Sequence, residues 1–580
     1  MTAPSSIPTV ASPDVCSISV LIDGTEISTQ FEILSATVSR ELNRIPSATL
    51  HLRDGEAAKQ TFEVSDTDHF VPGKQIELRL GYRGVTESVF AGVIVTQRVR
   101  VRRNETLLML GCRDEAIRMT RGPKSRYFTD VTDADLIDQL VGEYGLARRV
   151  AETGPPLAEV VQFDSTDWDF LVCRAEANGF VVAVRDGAVE VGPPDVTAGP
   201  AVSTAFGATI LELDAEIDAR LQVRGVTATS WDAADQTLVT AEATEPAVTE
   251  SGNLDSAALA DVLGGDAYAL RHGGRLSEPE LQAWALGRLR MNRLAKVRGR
   301  VRFPGFAGVV PGDVIAVESI GARFSGNQLV SGIRHTLSSG TWETDVAFGL
   351  APQIHAMRYR VDSVAAGGLL PAVNGLLTGV VTALKDDGGE NRIRVRLPMV
   401  SDTDEGTWAR LATLDAGAQR GTFFRPEIGD EVVVGFLNSD PRSPVVLGQC
   451  HSSAKPAPVP GDDDNDVKGY RSRTELQLIF DDDKKSVVVE TPSGARLTLA
   501  DNDSVASLTD QNGNSIVLGK GGITITSGKD VTIEATGNLT FSGANVSGSA
   551  QASLQMKGQA SAEVSSSSAL TLSGAVVRIN

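Results

Sequence analysis

Six histidines are the first residues to weigh for chemistry: His51, His69, His272, His335, His355 and His451. Metal-binding or acid–base imidazoles on one helix recur three or four residues apart. No two of these lie that close, and HExxH is absent. No GxSxG nucleophile turn occurs, and Gly519-Lys520 lacks the spacing and the following Ser or Thr of a phosphate-binding loop. Cys16, Cys112, Cys173 and Cys450 are far apart without CxxC, which reads as reduced thiols. Carboxylates are plentiful, but none stands out as a paired acid and base. Asp462, Asp463, Asp464 and Asp466 read as solvated charge, and Asp510–Asn514 reads as an Asn-Gly hairpin more readily than a Ca²⁺ loop. The expectation is therefore no catalytic, cofactor or metal site, and a protein that is not an enzyme.

The elements around these residues are mostly β. The chain has 580 residues, enough for about three to five domains. Aromatics are only 5% while glycines number 57, which suits small-residue β architecture. A net charge of −20 argues against a nucleic-acid partner. The N-terminus lacks a basic-then-apolar secretory signal, so synthesis in the cytoplasm is expected. The apolar stretch 365–384 is interrupted by Pro371, Asn374 and glycines, and reads as a linker running into a strand, not a membrane helix.

Residues 17–115 and 301–350 alternate as strands, with Asp23-Gly24 as a hairpin turn. Three helices are expected: 132–146 with Thr132 as cap, a second around Trp168, Leu171, Val172 and Ala175, and a third capped by Ser277. The two β regions repeat each other. Val71-Pro-Gly-Lys-Gln-Ile-Glu-Leu matches Val310-Pro-Gly-Asp-Val-Ile-Ala-Val, and Gly92 and Gly332 follow at similar distances. Two small barrels of one plan are the economical reading. Five strand-length runs between Leu376 and Ser453 suggest an OB-type barrel.

The tail carries the sharpest signal. Apolar residues come as i, i+2 pairs, Ile523/Ile525, Val531/Ile533 and Leu539/Phe541, eight residues apart. After one dropped residue at Val546, Leu554/Met556, Ala562/Val564 and Leu570/Leu572 restore the step. Each unit is a short strand with two inward side chains and a turn. One chain so built leaves a narrow stripe and open edges, which several copies wrapped around one axis would hide. A longer-period single-chain solenoid and disorder are the competing readings.

The run Gly421-Thr-Phe-Phe-Arg-Pro426-Glu427-Ile-Gly429-Asp430, continuing through Asp440-Pro441, Pro444 and Gly448, resembles the OB domain of VgrG proteins and phage tail spikes. Asp510 to Leu518 with the following Gly-Ile-Thr-Ile-Thr-Ser resembles the start of a VgrG needle. Phe70-Val-Pro-Gly73 and Gln162 to Leu171 resemble the hub. The resemblance implies a mainly β chain: a hub of duplicated barrels with helical insertions (1–370), an OB-fold neck (371–453), a linker (454–473) and an intertwined trimeric β-helix (474–580). It implies a homotrimer with six hub barrels facing a hexameric tube and baseplate, and a PAAR-type tip protein docking at Val576, Val577, Arg578, Ile579 and Asn580. The spike would puncture a target membrane in passing. The chain ends with its repeat, which inclines the reading towards a released phage-tail-like particle without an effector extension. A type VI secretion apparatus, an extracellular injection particle and a phage tail all remain open, as do an enzyme-bearing spike and a stationary adhesin fibre.

Overall fold

Alternating apolar residues such as Ala48, Leu50 and Leu52 put one face of each early strand into a common core, and the chain folds into a meander around them. The computed structural model describes residues 7–8, 15–27, 30–103, 105–248, 250–264 and 266–579. The chain divides into two units, Met1–Asn374 with Asn438–Pro441, and Gly375–Leu437 with Arg442–Asn580.

In the first unit we label β1 (Cys16–Ile22), β2 (Ile33–Glu41), β3 (Ser47–Arg53), β4 (Gln75–Tyr82), β5 (Val85–Arg102), β6 (Glu105–Arg113), β7 (Val202–Ala205), β8 (Glu212–Ile217), β9 (Val297–Pro304), β10 (Val314–Glu318), β11 (Gly326–Ser338) and β12 (Thr341–Phe348). The duplicated halves are fused into one 13-stranded sheet in the order β8–β9–β12–β11–β2–β3–β6–β5–β4–β1 and on to Thr25–Glu26, with β10 and β7 joined alongside β11. Each half has its own core, one around Leu50, Phe70, Phe90 and Leu108, the other around Val301, Phe303, Ile315 and Val346.

The Pro-Gly repeat is a true structural repeat. The Gly73 amide donates to Ile94 O at 2.8 Å, and the Gly312 amide donates to Val330 O at 2.9 Å. A register shift follows each, at Ile94/Thr96 and at Val330/Gly332. The counterpart of Gly332 is therefore Thr96 and not Gly92. Counting residues from the Pro-Gly turn ignores the differing loop before each second strand, whereas the hydrogen bonds do not.

Helices α1 (Asp133–Gly142) and α2 (Asp167–Ala177) start where expected, with Thr132 and Thr166 hydroxyls accepting from the Asp135 and Asp169 amides. Helix α3 (Ser256–Leu263), capped by Asp255, escaped the sequence reading because Ala-rich runs carry little periodic contrast. Helix α4 (Glu278–Leu294) opens with the Ser277/Glu280 capping box. No helix among the described residues is long and apolar enough to cross a membrane.

The second unit begins with a closed five-stranded barrel of β13 (Leu377–Ala383), β14 (Ile393–Arg396), β15 (Thr407–Leu411), β16 (Glu431–Phe436) and β17 (Pro444–Gln449), in the order β13–β14–β15–β17–β16, around Val381, Ile393, Val395, Val432 and Val446. A seven-stranded antiparallel ladder follows: β18 (Val467–Arg471), β19 (Gln477–Asp481), β20 (Ser486–Glu490), β21 (Arg496–Ala500), β22 (Val505–Thr509), β23 (Ser515–Gly519) and β24 (Gly522–Thr526). Its first strand lies inside the segment expected to be a linker. Backbone pairing to β19 is enough to order Val467–Arg471 without an apolar run.

Candidate functional site: the apolar ribbon of the second unit

The ladder strands are five residues long and joined by tight turns, and their register lines up apolar side chains across them. One row runs Leu478, Val489, Leu497, Leu508, Ile516 and Ile525, each directly opposite the next. A second runs Phe480, Val487, Leu499, Ala506, Leu518 and Ile523. Ile523 and Ile525 end both rows and also form the first octad pair of the tail. Sequence reasoning missed that the stripe begins at Leu478, because strands of the ladder and units of the tail differ in length and share no period.

Beyond Thr526 no strand follows among the described residues. The octad pairs Ile523, Ile525, Val531, Ile533, Leu539, Phe541, Leu554, Met556, Leu570 and Leu572 are all exposed, from 52% at Leu539 to 82% at Met556. Val576, Val577 and Ile579 are exposed as well, and Asn580 lies outside the described residues. Large apolar residues exposed in such number are more than soluble monomers leave open. Each such Ile, Leu or Val would contribute roughly 1.5–3 kcal/mol if covered.

The OB residues act as scaffold. Gly429 adopts φ 87°, and its amide donates to Val381 O at 2.8 Å, turning the chain into β16. The Asp430 carboxylate accepts from the Glu427 amide at 2.8 Å and from Lys455 Nζ at 2.7 Å. Partial burial raises its pKa, but the Lys455 bond and the Glu427 amide outweigh that and hold it below the ordinary value. Glu427 pairs with Arg473 at 2.9 Å. Pro426 and Pro444 are buried, Pro444 opposite Phe436 in the β16–β17 pair, and Gly448 faces Val433. Asp440 and Pro441 sit in the loop between those strands.

Groups with catalytic potential are held as structural knots. His355 Nε2 lies 2.8 Å from Asp169 Oδ1, and the His355 amide donates to Glu176 at 2.7 Å. The nearby Cys173 thiol is pushed up to about 11 by burial and by Glu176 and Asp169, so it is not an activated nucleophile. Asp167, with its side chain fully covered, accepts from Lys124 at 2.6 Å, Arg126 at 2.8 Å and the Tyr144 hydroxyl at 2.6 Å. No cluster of three or more His, Cys, Asp or Glu with metal-holding geometry occurs among the described residues.

Residues 12–339 match the family described as the Alg8 N-terminal domain, and residues 377–451 match the type VI secretion system/phage-baseplate injector OB domain. The type VI secretion system spike protein VgrG3 of Vibrio cholerae is 35% identical over 71 residues, which span 12% of this chain and 7% of that protein. VgrG1b of Pseudomonas aeruginosa is 28% identical over 113 residues, 18% of this chain and 15% of that one. The chain thus spans only a small part of the curated relatives it matches. Among solved structures, a tail protein from Neisseria meningitidis overlays with a TM-score of 0.44 at 18% identity, covering 58% of this chain and 96% of that chain. A chain of the lidded Francisella PdpA–VgrG complex overlays at 0.38 and 10% identity, covering 88% of this chain and 80% of that chain. With more than half its length matched by the first of these domains and its barrel by the second, the chain belongs to the Alg8 N-terminal domain family and is a VgrG-like spike protein.

Proposed function

We propose that three copies of this chain form the spike at the tip of a contractile injection apparatus, made in the cytoplasm, and that its tail punctures the target envelope mechanically without enzymatic activity. The observation that carries this reading is the pair of apolar rows running from Leu478 and Phe480 through Ile523 and Ile525 into the exposed octads. Three ribbons closed around one axis hide this stripe and pair their backbone edges, giving an edge-free prism. Internally satisfied peptide groups let such a prism enter lipid without the several kcal/mol that each unpaired group costs. Its outer Ser, Thr and Asn residues suit passage through a membrane and not residence in it. Hub, OB neck and needle divide the chain as 1–370, 371–453 and 474–580. The six hub barrels of a trimer face a six-membered tube, and Val576, Val577, Arg578, Ile579 and Asn580 dock a PAAR-type tip protein. The host is a phage-tail-like particle.

Sedimentation equilibrium of the purified full chain tests the assembly. The expected mass is three times 61.2 kDa. A folded monomer with a self-closed tail would end the proposal, and turnover of peptidoglycan by the purified protein would end its non-enzymatic part.

A further inference from the structure

Two open edges of the 13-stranded sheet are complementary. From Thr96 to Arg102, β5 pairs with β6 alone, because β4 leaves it at the Gln75↔Val93 rung. At the far end of the sheet β8 pairs with β9 alone. Both edges have an internal counterpart that is already joined. Thr96–Arg102 corresponds to Gly332–Ser338 of β11, since each stretch begins just after a register shift and each hairpin closes after the same rungs. Strand β8 corresponds to β2: Leu213 leads through Val301 to Val346, as Ala36 leads through Leu50 to Leu110. In the chain, β11 and β2 pair antiparallel from Gly332↔Glu41 to Ser338↔Ser35.

Carrying that join over to the open edges sets the register. Arg334↔Ser39, Thr336↔Thr37 and Ser338↔Ser35 become Arg98↔Glu216, Arg100↔Asp214 and Arg102↔Glu212. Every charge meets its opposite. Among the described residues Arg98, Arg100, Arg102 and Asp214 make no ion pair, while Glu212 and Glu216 reach Arg302 (3.1 Å) and Arg298 (2.7 Å) on their other side. The apolar face agrees. Val99 and Val101 are 43% and 65% exposed, whereas their counterparts His335 and Leu337, covered by β2, are 4% and 5% exposed. The carried-over register puts Val99 against Ala215 and Val101 against Leu213. Six strands of one sheet separate the two edges, so the occupant of each is a second copy.

We propose that β5 of one copy pairs antiparallel with β8 of the next in this register, so that the hub closes as a continuous sheet locked by an Arg98/Arg100/Arg102 to Glu216/Asp214/Glu212 charge ladder. This rests on the three-copy reading, and repeating one join between copies closes six half-sheets into a ring.

The test is disulfide trapping in the full chain with the exposed native thiol removed by Cys450→Ser. The pairs Arg102→Cys with Glu212→Cys, and Arg100→Cys with Asp214→Cys, are in register. Arg102→Cys with Glu216→Cys is four residues out, about 14 Å along the strand, beyond a disulfide's reach. Oxidation is expected to link the first two into covalent dimers and trimers and to leave the third unlinked. A chain of trimeric mass with no in-register link, or with equal linking of the out-of-register pair, overturns the ladder while sparing the trimer. A monomeric chain overturns both.

Discussion

Gly179 and Gly287 meet backbone against backbone: a Cβ on Gly179 would stand 2.4 Å from the Gly287 Cα. Gly179 ends the turn after α2 at φ 67°, and Gly287 lies within α4, so the pair sets how closely the two helices pack. Alanine in a helix is favoured over glycine by about 1 kcal/mol. The overlap at this contact costs about 1–3 kcal/mol, because the atoms in the way are backbone and cannot rotate aside. Gly287→Ala is therefore expected to destabilise the hub. A urea midpoint equal to or above that of the wild type would refute this.

Burial pushes the His335 imidazole down to about 3, with Arg40 adding to the shift. Its Nδ1 lies 3.0 Å from the Thr344 hydroxyl. The folded state holds this ring neutral while the unfolded chain protonates near 6.5. Its contribution is thus complete above about pH 6.5 and falls with pH towards about 3, by up to roughly 1.4 kcal/mol per pH unit. His335→Gln keeps a hydrogen-bonding side chain without that proton. The loss in denaturant midpoint between pH 7 and pH 4.5 is expected to be smaller in this variant. An unchanged loss would show that other groups govern the acid limb.

Ile525 and Thr524 are neighbours on opposite faces of β24, Ile525 at the end of an apolar row. In the proposed trimer, Ile525→Asp would set three carboxylates into the shared core and forfeit roughly 1.5–3 kcal/mol of burial per copy. It is expected to reduce the mass measured by light scattering, or the temperature at which the assembly dissociates. Thr524→Asp is expected to leave both alone, and equal effects would argue against an inward stripe.

The Asp510 carboxylate organises its hairpin by accepting from the Asn512 and Asn514 amides, both at 2.9 Å. These bonds, the Asn514 amide foremost, hold its pKa below the ordinary carboxylate value. A depressed carboxyl keeps its contribution above the unfolded pKa and loses it only as pH falls through the lower folded value. Protection of the two amides from hydrogen exchange is expected to persist below pH 4, to vanish in Asp510→Ala, and to be indifferent to EDTA. A calcium-dependent change would make the turn an ion site.

Much of the fold was legible because local chemistry wrote it. Thr132, Ser277 and Asp23-Gly24 mark starts and turns by hydrogen bonds within a few residues. The five barrel strands announce themselves by alternation. The equivalence of Thr96 and Gly332 was not legible, since the intervening loops differ in length and only the ladder hydrogen bonds restore the alignment. The Leu478-to-Ile525 row was hidden for a related reason: residues opposite one another across strands have no fixed spacing along the chain.

Sequence alone determined what each segment needs. Alternation dictates strands, the octad step dictates a thin apolar stripe, and the scattered histidines and cysteines offer no catalytic motif. Tertiary structure decided which backbone edges are already paired and which are left open. The arginines of Arg98–Arg102 and those of Arg298–Arg302 look alike in sequence, yet only the second set meets carboxylates within its own sheet. Those carboxylates lie 43 to 90 residues away along the chain, and their proximity is a property of register, which composition and local spacing do not encode.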